Sequence, residues 1–411
     1  MTTTDGMLLL DPQMWARSGP PHELLTELRH TAPVSRFEID KVEPFWAITK
    51  HANITSISKQ PDKFLSGPGI TLAPRDADGL DVPGFSEMRV VINMDPPEHR
   101  KVRKVASPWF TPRSVKRIDH AVNLSAKQLV DALAANPERQ ADFATEIAVK
   151  HPLRILATAL GLPEEQEETI LNLSNRIFAP DDEELGGGNT PEDFAKLGAE
   201  FVQLFLPIIQ NRRDNPTEDL ASVLANGQVD GEPMGPMETL GYYLIVFNAG
   251  HDTTKNALAG GIRALVENPD QFEMLRRDPS LVPQAVEEIL RWTSSVNYMK
   301  RTAAEDVVVN GQKIPKGDAL VLFYLSGNRD EDVFDDPFRF DITRKPNPHV
   351  AFGYGEHFCM GAHFARRSLA AIVRELVTRV EGWELAADPE WIAASFVVGL
   401  KRLPVRYQIA S

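Results

Sequence analysis

Apolar residues recur at three- and four-residue spacing through the middle of the chain. The segments 114–135, 140–160, 191–214, 237–267 and 279–293 carry this pattern, which predicts helices with one face turned to a core. Near both ends the period shortens. Val34-Ser35-Arg36-Phe37-Glu38 and Phe45-Trp46-Ala47-Ile48, bounded by Pro33 and Pro44, predict short strands, as do Val307-Val308-Val309, Ala319-Leu320-Val321-Leu322 and Val405-Arg406-Tyr407. Residues 66–85, rich in Gly, Pro and Asp, read as a long loop, and 180–189 as a break between two helices. The fold class expected is mainly α with small β-sheets. The β-rich parts fall near 34–58, 300–325 and 395–409, and the helical core at 97–293 and 360–381. No repeat or linker divides the chain, so 1–411 reads as a single domain.

Composition adds exclusions. With 42% hydrophobic residues in a chain of 411, a large core can form and still leave room for a prosthetic group. A net charge of −14 argues against a nucleic-acid partner, because phosphates need Lys and Arg. No run of 18 apolar residues occurs, and Met1–Asp11 has no basic stretch before its Leu8-Leu9-Leu10 run. The expectation is therefore no membrane association, a cytoplasmic location and a monomer.

The chain has one cysteine, Cys359. It cannot form an internal disulfide or a multi-cysteine metal site. It sits in Phe352-Gly353-Tyr354-Gly355-Glu356-His357-Phe358-Cys359-Met360-Gly361-Ala362-His363-Phe364-Ala365, where a glycine-rich loop runs into a helix. Glycines allow tight turns and close approach to a flat ligand. A helix N-terminus favours a thiolate, so the sulfur reads as an anionic ligand. A second unusual segment is Ala249-Gly250-His251-Asp252-Thr253-Thr254, in the middle of an otherwise apolar helix. Gly costs about 1 kcal/mol there relative to Ala, and Asp and Thr compete for backbone groups. His251 reads as an outward-facing helix residue.

Phe352, Gly355, His357, Cys359 and Gly361 resemble the haem-binding signature of the cytochrome P450 family, with His357 where many members carry Arg. The resemblance spans roughly 95–408. It implies the P450-type fold, with the long central helix crossing over haem b (iron protoporphyrin IX). Cys359 would be the axial iron ligand, with Phe352, Gly353, Gly361 and Ala365 around it. Ala249, Gly250, Asp252 and Thr253 would form the oxygen-activation motif, Asp252 relaying protons and Thr253 holding oxygen and water. His99, Arg103, Arg301 and His357 would clamp the haem propionates, with Lys300 as a competitor for Arg301. Glu288, Arg291 and Arg339 would form a structural network fixing the cysteine segment.

The same resemblance implies a pocket walled by the stretches 66–92, 175–190, 243–250, 294–299 and 396–398, which contain Ile70, Leu72, Phe85, Met88, Ile177, Phe178, Leu244, Phe247, Val296, Tyr298, Phe396 and Val397 and suit an apolar substrate. Residues 100–117 hold seven basic residues and no acidic one. Arg100, Lys101, Lys104, Arg113 and Lys116, extended by Arg366 and Arg367, read as a docking face for an acidic ferredoxin. The activity implied is haem-thiolate monooxygenation: O2-dependent hydroxylation of a hydrophobic small molecule such as a terpenoid or alkyl-aromatic, with electrons from a ferredoxin and its reductase. Alternatives are a sterol or fatty-acid hydroxylase, an H2O2-driven peroxygenase and a non-catalytic haem sensor.

Overall fold

The computed structural model describes residues 3–40, 42–73, 89–163, 166–188 and 190–409. Phe85 and Met88, and the side chain of Phe178, lie outside the described residues.

The central helix, Pro236–Glu267, starts with a proline in its first turn, where no backbone N–H is needed. At 32 residues it is about 48 Å long. It is buried along most of its length because helices pack against it on both sides. Its first half joins a core with Lys150–Leu160, Glu167–Phe178 and Pro191–Asp214; its second half joins one with Val282–Thr293 and Ala362–Arg379. A five-stranded sheet lies to one side in the order Val34–Phe37, Phe45–Ile48, Ala319–Phe323, Tyr298–Ala303, Phe64–Leu65. Only the Phe45–Ile48/Ala319–Phe323 pair is parallel; the other pairs in this sheet are antiparallel.

Two predicted helices divide. The 114–135 pattern begins with a 3₁₀ stretch, Ser114–Ile118, before the helix Asp119–Ala135. The 140–160 pattern opens instead as a strand, Gln140–Asp142, followed by a π turn, Ala144–Ala148, and the helix Lys150–Leu160. The strand forms because Pro404–Arg406, far away in sequence, pairs with it. Local periodicity cannot report such a partner.

The structural network also differs from expectation. Glu288 and Arg291 are fully buried and joined by two bonds of 2.7 and 2.8 Å. The second arginine on the Glu288 carboxylate, and so the third member of the network, is Arg344, 3.3 Å away, and not Arg339. Arg339 points to solvent and offers only its carbonyl, to Arg291 and Arg344. Asn347 and the Asp341 N–H complete the shell around Glu288. This ties residues 335–347 to the helix Val282–Thr293, and that segment leads directly into the cysteine loop.

Candidate active site

The cysteine loop is folded by its glycines. Gly353 and Gly355 adopt φ of +68° and +71°, a region costly for other residues. A Cβ on Gly355 would lie 2.1 Å from the Ser58 carbonyl oxygen, so no other residue fits without movement. The loop closes on itself through the Cys359 N–H, which donates to the Phe352 carbonyl at 2.8 Å. The helix Ala362–Arg379 begins three residues after the cysteine. Burial pushes the Cys359 thiol above its ordinary pKa, while the Gly361 N–H, Arg103 and Arg366 pull against it. Burial thus opposes the thiolate at a metal-free sulfur, and a metal ion that displaces the proton offsets this.

Cys359 lines a cavity of about 230 Å³ beneath the central helix, together with Phe352, Gly353, Gly361 and Ala365. Four basic groups gather on the same cavity: His99, Arg103, Arg301 and His357. Arg301 reaches it because strand residues alternate. Its neighbour Lys300 points the other way, onto Glu43 at 2.7 Å, so Lys300 is out of contention. The His99 and His357 rings lie 4.1 Å apart. His357 is lowered to a pKa of about 3 by burial first, then by Arg301, His99 and Arg103; His99 is lowered by burial and Arg103. Burial leads in both cases, the neighbouring cations add to it, and Glu356 opposes it at His99, so negative charge brought into the cavity would relieve the repulsion that remains.

Above the cavity the central helix presents Ile245, Val246, Ala249, Gly250, Thr253 and Thr254. The helix runs unbroken here. The Thr253 hydroxyl donates to the Ala249 carbonyl at 2.6 Å and Thr254 to Gly250 at 3.1 Å, which loads two successive carbonyls with a second donor. Asp252 is on another face. It borders a separate small pocket with Asn175, Lys255 and Asn256. Its carboxylate accepts from Lys255 Nζ and Ser174 Oγ. Burial would raise its pKa, but Lys255 and His251 hold it well below the usual carboxylate range. His251 is fully buried rather than outward-facing. Its Nδ1 lies 3.1 Å from Ser174 Oγ and its Nε2 3.2 Å from the Val149 carbonyl.

Of the described pocket residues expected from sequence, Val296 borders the cavity and the rest do not. Leu244 and Phe247 sit one helical step away and belong to the core, Phe247 against Phe201 and Phe205. Ile177 packs against that core too. Tyr298 and Phe396 meet edge to face 5.2 Å apart in another cluster, with Leu72 beside them. Val397 faces the small pocket, and Ile70 is noted for its carbonyl, which accepts from the Lys300 N–H. The lining instead includes Val91, Ile92, Met299 and Tyr324. Val91, Ile92 and Met299 fall within the expected wall stretches 66–92 and 294–299 without having been singled out, whereas Tyr324, Ser174, Lys255 and Arg344 were missed because no motif marks them.

The basic face is largely neutralised. Arg100 pairs with Glu356, Lys101 with Asp230, Arg366 with Glu287 and Arg367 with Asp119. Lys104, Arg113 and Lys116 are exposed and have no acidic partner among the described residues.

The cavity fits haem. A cysteine sulfur opens onto one wall, Gly353, Gly361 and Ala365 leave room beside it, and four basic groups border the cavity, of which, among the described residues, only His99 has a carboxylate near it, Glu356 at 3.5 Å. The Cytochrome P450 family model matches residues 13–381. A methyl-branched lipid omega-hydroxylase of Mycobacterium tuberculosis is 36% identical over 389 residues, covering 92% of this chain and 89% of its own. A linalool 8-monooxygenase of Pseudomonas putida is 34% identical over 401 residues, covering 97% and 98%. The crystal structure of a P450 from Novosphingobium aromaticivorans superposes with a TM-score of 0.91 at 35% identity, covering 100% of this chain and 99% of that one. Among the described residues no helix is long and apolar enough to cross a membrane. The chain belongs to the cytochrome P450 family, as a monooxygenase whose cofactor is haem b.

Proposed function

We propose that this monooxygenase hydroxylates an apolar small molecule of terpenoid or alkyl-aromatic type. The observation that carries the reading is the wall around Thr253: Val91, Ile92, Ile245, Val246, Ala249, Val296 and Met299 offer hydrocarbon surface. Such a wall orients a substrate by shape and excludes water. The linalool-oxidising relative supports a terpenoid; the relative acting on methyl-branched lipids supports a branched alkyl chain as the second reading.

Haem, when bound, supplies the oxygen chemistry. Cys359 is the residue that holds its iron, and His99, Arg103, Arg301 and His357 hold its propionates. Thr253 offers a hydroxyl at the cavity surface, and Asp252, one residue away on the adjoining face beside the small second pocket, is the acid that relays protons to that hydroxyl. An acid and an alcohol kept side by side suit the O2-dependent route, which consumes protons, better than a route driven by H2O2. Electrons arrive from a separate ferredoxin, and Lys104, Arg113 and Lys116 are the cations free to meet it.

The test is a pair of visible spectra: that of the reduced, CO-treated protein, and that of the ferric protein without CO during titration with terpenes, alkylbenzenes, branched fatty acids and steroids. A strongly red-shifted Soret band is expected from the wild type and lost in Cys359→Ala. A spin shift with terpenes or alkylbenzenes supports the first substrate reading, and one confined to branched fatty acids the second. A spin shift with steroids alone overturns both.

A further inference from the structure

We infer that His251, Ser174 and Asp252 form a proton wire in which His251 stores the proton that loads Asp252. This rests on reading Asp252 as the proton relay of the proposed reaction, and goes beyond it by naming the residues behind the acid. The three side chains come from two elements. His251 and Asp252 are on the central helix, and Ser174 is on Glu167–Phe178. All three are buried, Ser174 and His251 completely.

Donor and acceptor capacity limits where the hydrogens can sit. Ser174 has a single hydrogen. The Asp252 carboxylate can only accept, so Ser174 Oγ–H points to Oδ2. Ser174 Oγ must then accept from His251 Nδ1–H, 3.1 Å away. The Val149 carbonyl also can only accept, so Nε2, 3.2 Å from it, carries a hydrogen as well. With Asp252 ionised, the contacts stand together only when His251 is an imidazolium.

A second arrangement satisfies the same contacts. Asp252 is protonated and donates to Ser174 Oγ, Ser174 donates to His251 Nδ1, and Nε2–H still donates to Val149. The two arrangements differ by one proton moved along the chain. The Nδ1–H bond breaks and a new Oγ–H bond forms; the old Oγ–H bond breaks and an Oδ2–H bond forms. No electron moves. Ser174 ends as it began, with one hydrogen, and the net change is neutral His251 beside neutral Asp252.

The surroundings set the resting state. The charged groups at His251 are Asp252, with Nδ1 3.5 Å from its Oδ2, and behind it Lys255, both on the central helix. The helix Glu167–Phe178 presents only the Ser174 hydroxyl to it, and the turn before Lys150–Leu160 only the Val149 carbonyl. Lys255 favours the carboxylate, so the proton rests on His251 until Asp252 gives up its place at Lys255. His251 and Ser174 are positioning residues: neither borders the large cavity.

The experiment uses the haem-loaded, full-length protein. In its reduced, CO-bound, diamagnetic form with ¹⁵N-labelled histidine, the His251 resonances are assigned by their loss in His251→Gln. Both ring nitrogens are expected in the protonated range at neutral pH; one unprotonated nitrogen overturns the proposal. Turnover is then compared in Ser174→Ala, His251→Gln and Asp252→Asn. Ser174→Ala and His251→Gln are expected to lower coupled turnover by about tenfold, raise its solvent isotope effect and flatten its pH profile near neutrality, with substrate affinity and CO spectrum unchanged. If Asp252→Asn is slow while the other two keep wild-type rates, isotope effect and pH profile, the wire is refuted and the relay reading survives. If Asp252→Asn is itself fully coupled, both fall together. Ser174→Thr, which keeps the hydroxyl, is expected to restore the pH profile lost in Ser174→Ala; a flat profile there refutes the wire.

Discussion

Replacing Arg344 by methionine tests how the cysteine segment is anchored. Its side chain is only 8% exposed and lies 3.3 Å from the Glu288 carboxylate. It also donates to the carbonyls of Asp335, Asp336 and Arg339. Removing one partner of a buried charge costs about 3–5 kcal/mol. Glu288 keeps Arg291, Asn347 and the Asp341 N–H, so the lower end, about 3 kcal/mol, applies. Unfolding entropy of about 2.1 cal/mol/K per residue over 411 residues gives about 0.9 kcal/mol per kelvin. Arg344→Met should therefore lower Tm by about 3–4 °C, and Arg339→Met, at an exposed position whose carbonyl any residue supplies, by less than about 1 °C. Thermal melts followed by far-ultraviolet circular dichroism, with haem retention read from the Soret band, give both numbers. An Arg339→Met loss equal to or larger than that of Arg344→Met would refute the assignment of Arg344 as the third member.

Thr253→Ala removes the hydroxyl facing the cavity, and product formed per NAD(P)H consumed should fall about tenfold while substrate affinity holds; unchanged coupling would remove Thr253 from the proton path. Lys104→Glu with Arg113→Glu should raise KM for the ferredoxin severalfold at low salt, with the difference shrinking at high salt, and equal values would place docking elsewhere. Glu287 bears on acid stability: burial favours its neutral form, but Arg366 and His349 outweigh this and lower its pKa to about 2. A depressed carboxyl stabilises fully above its ordinary value and loses that contribution as pH falls toward 2. Glu287→Gln should therefore be less stable than wild type at pH 7 and converge on it below pH 3, as read from denaturant midpoints; a gap constant with pH would exclude the ion pair as its cause.

The sequence by itself determined what depends on residue type and short spacing. A single cysteine among glycines, where a loop enters a helix, could be read without a partner in view. So could the central helix, whose apolar period runs for thirty residues, and the strands bounded by prolines. His99 and Arg103, one turn apart, could be read as facing one ligand, whereas Arg301 and His357 came only with the family resemblance, and the strand that turns Lys300 onto Glu43 was visible only in the fold. Tertiary structure decided matters of choice between near neighbours. Arg339 and Arg344 are five residues apart, and only the folded path of 335–347 puts the second on Glu288. Leu244 and Ile245 are adjacent, and the rotation of one helix decides which meets the cavity. Charge followed the same rule. Arg366 and Arg367 read as free cations until Glu287 and Asp119, 79 and 248 residues away, folded against them. Local pattern records what a residue can do, while the partner that uses or cancels it is fixed by contacts between distant parts of the chain.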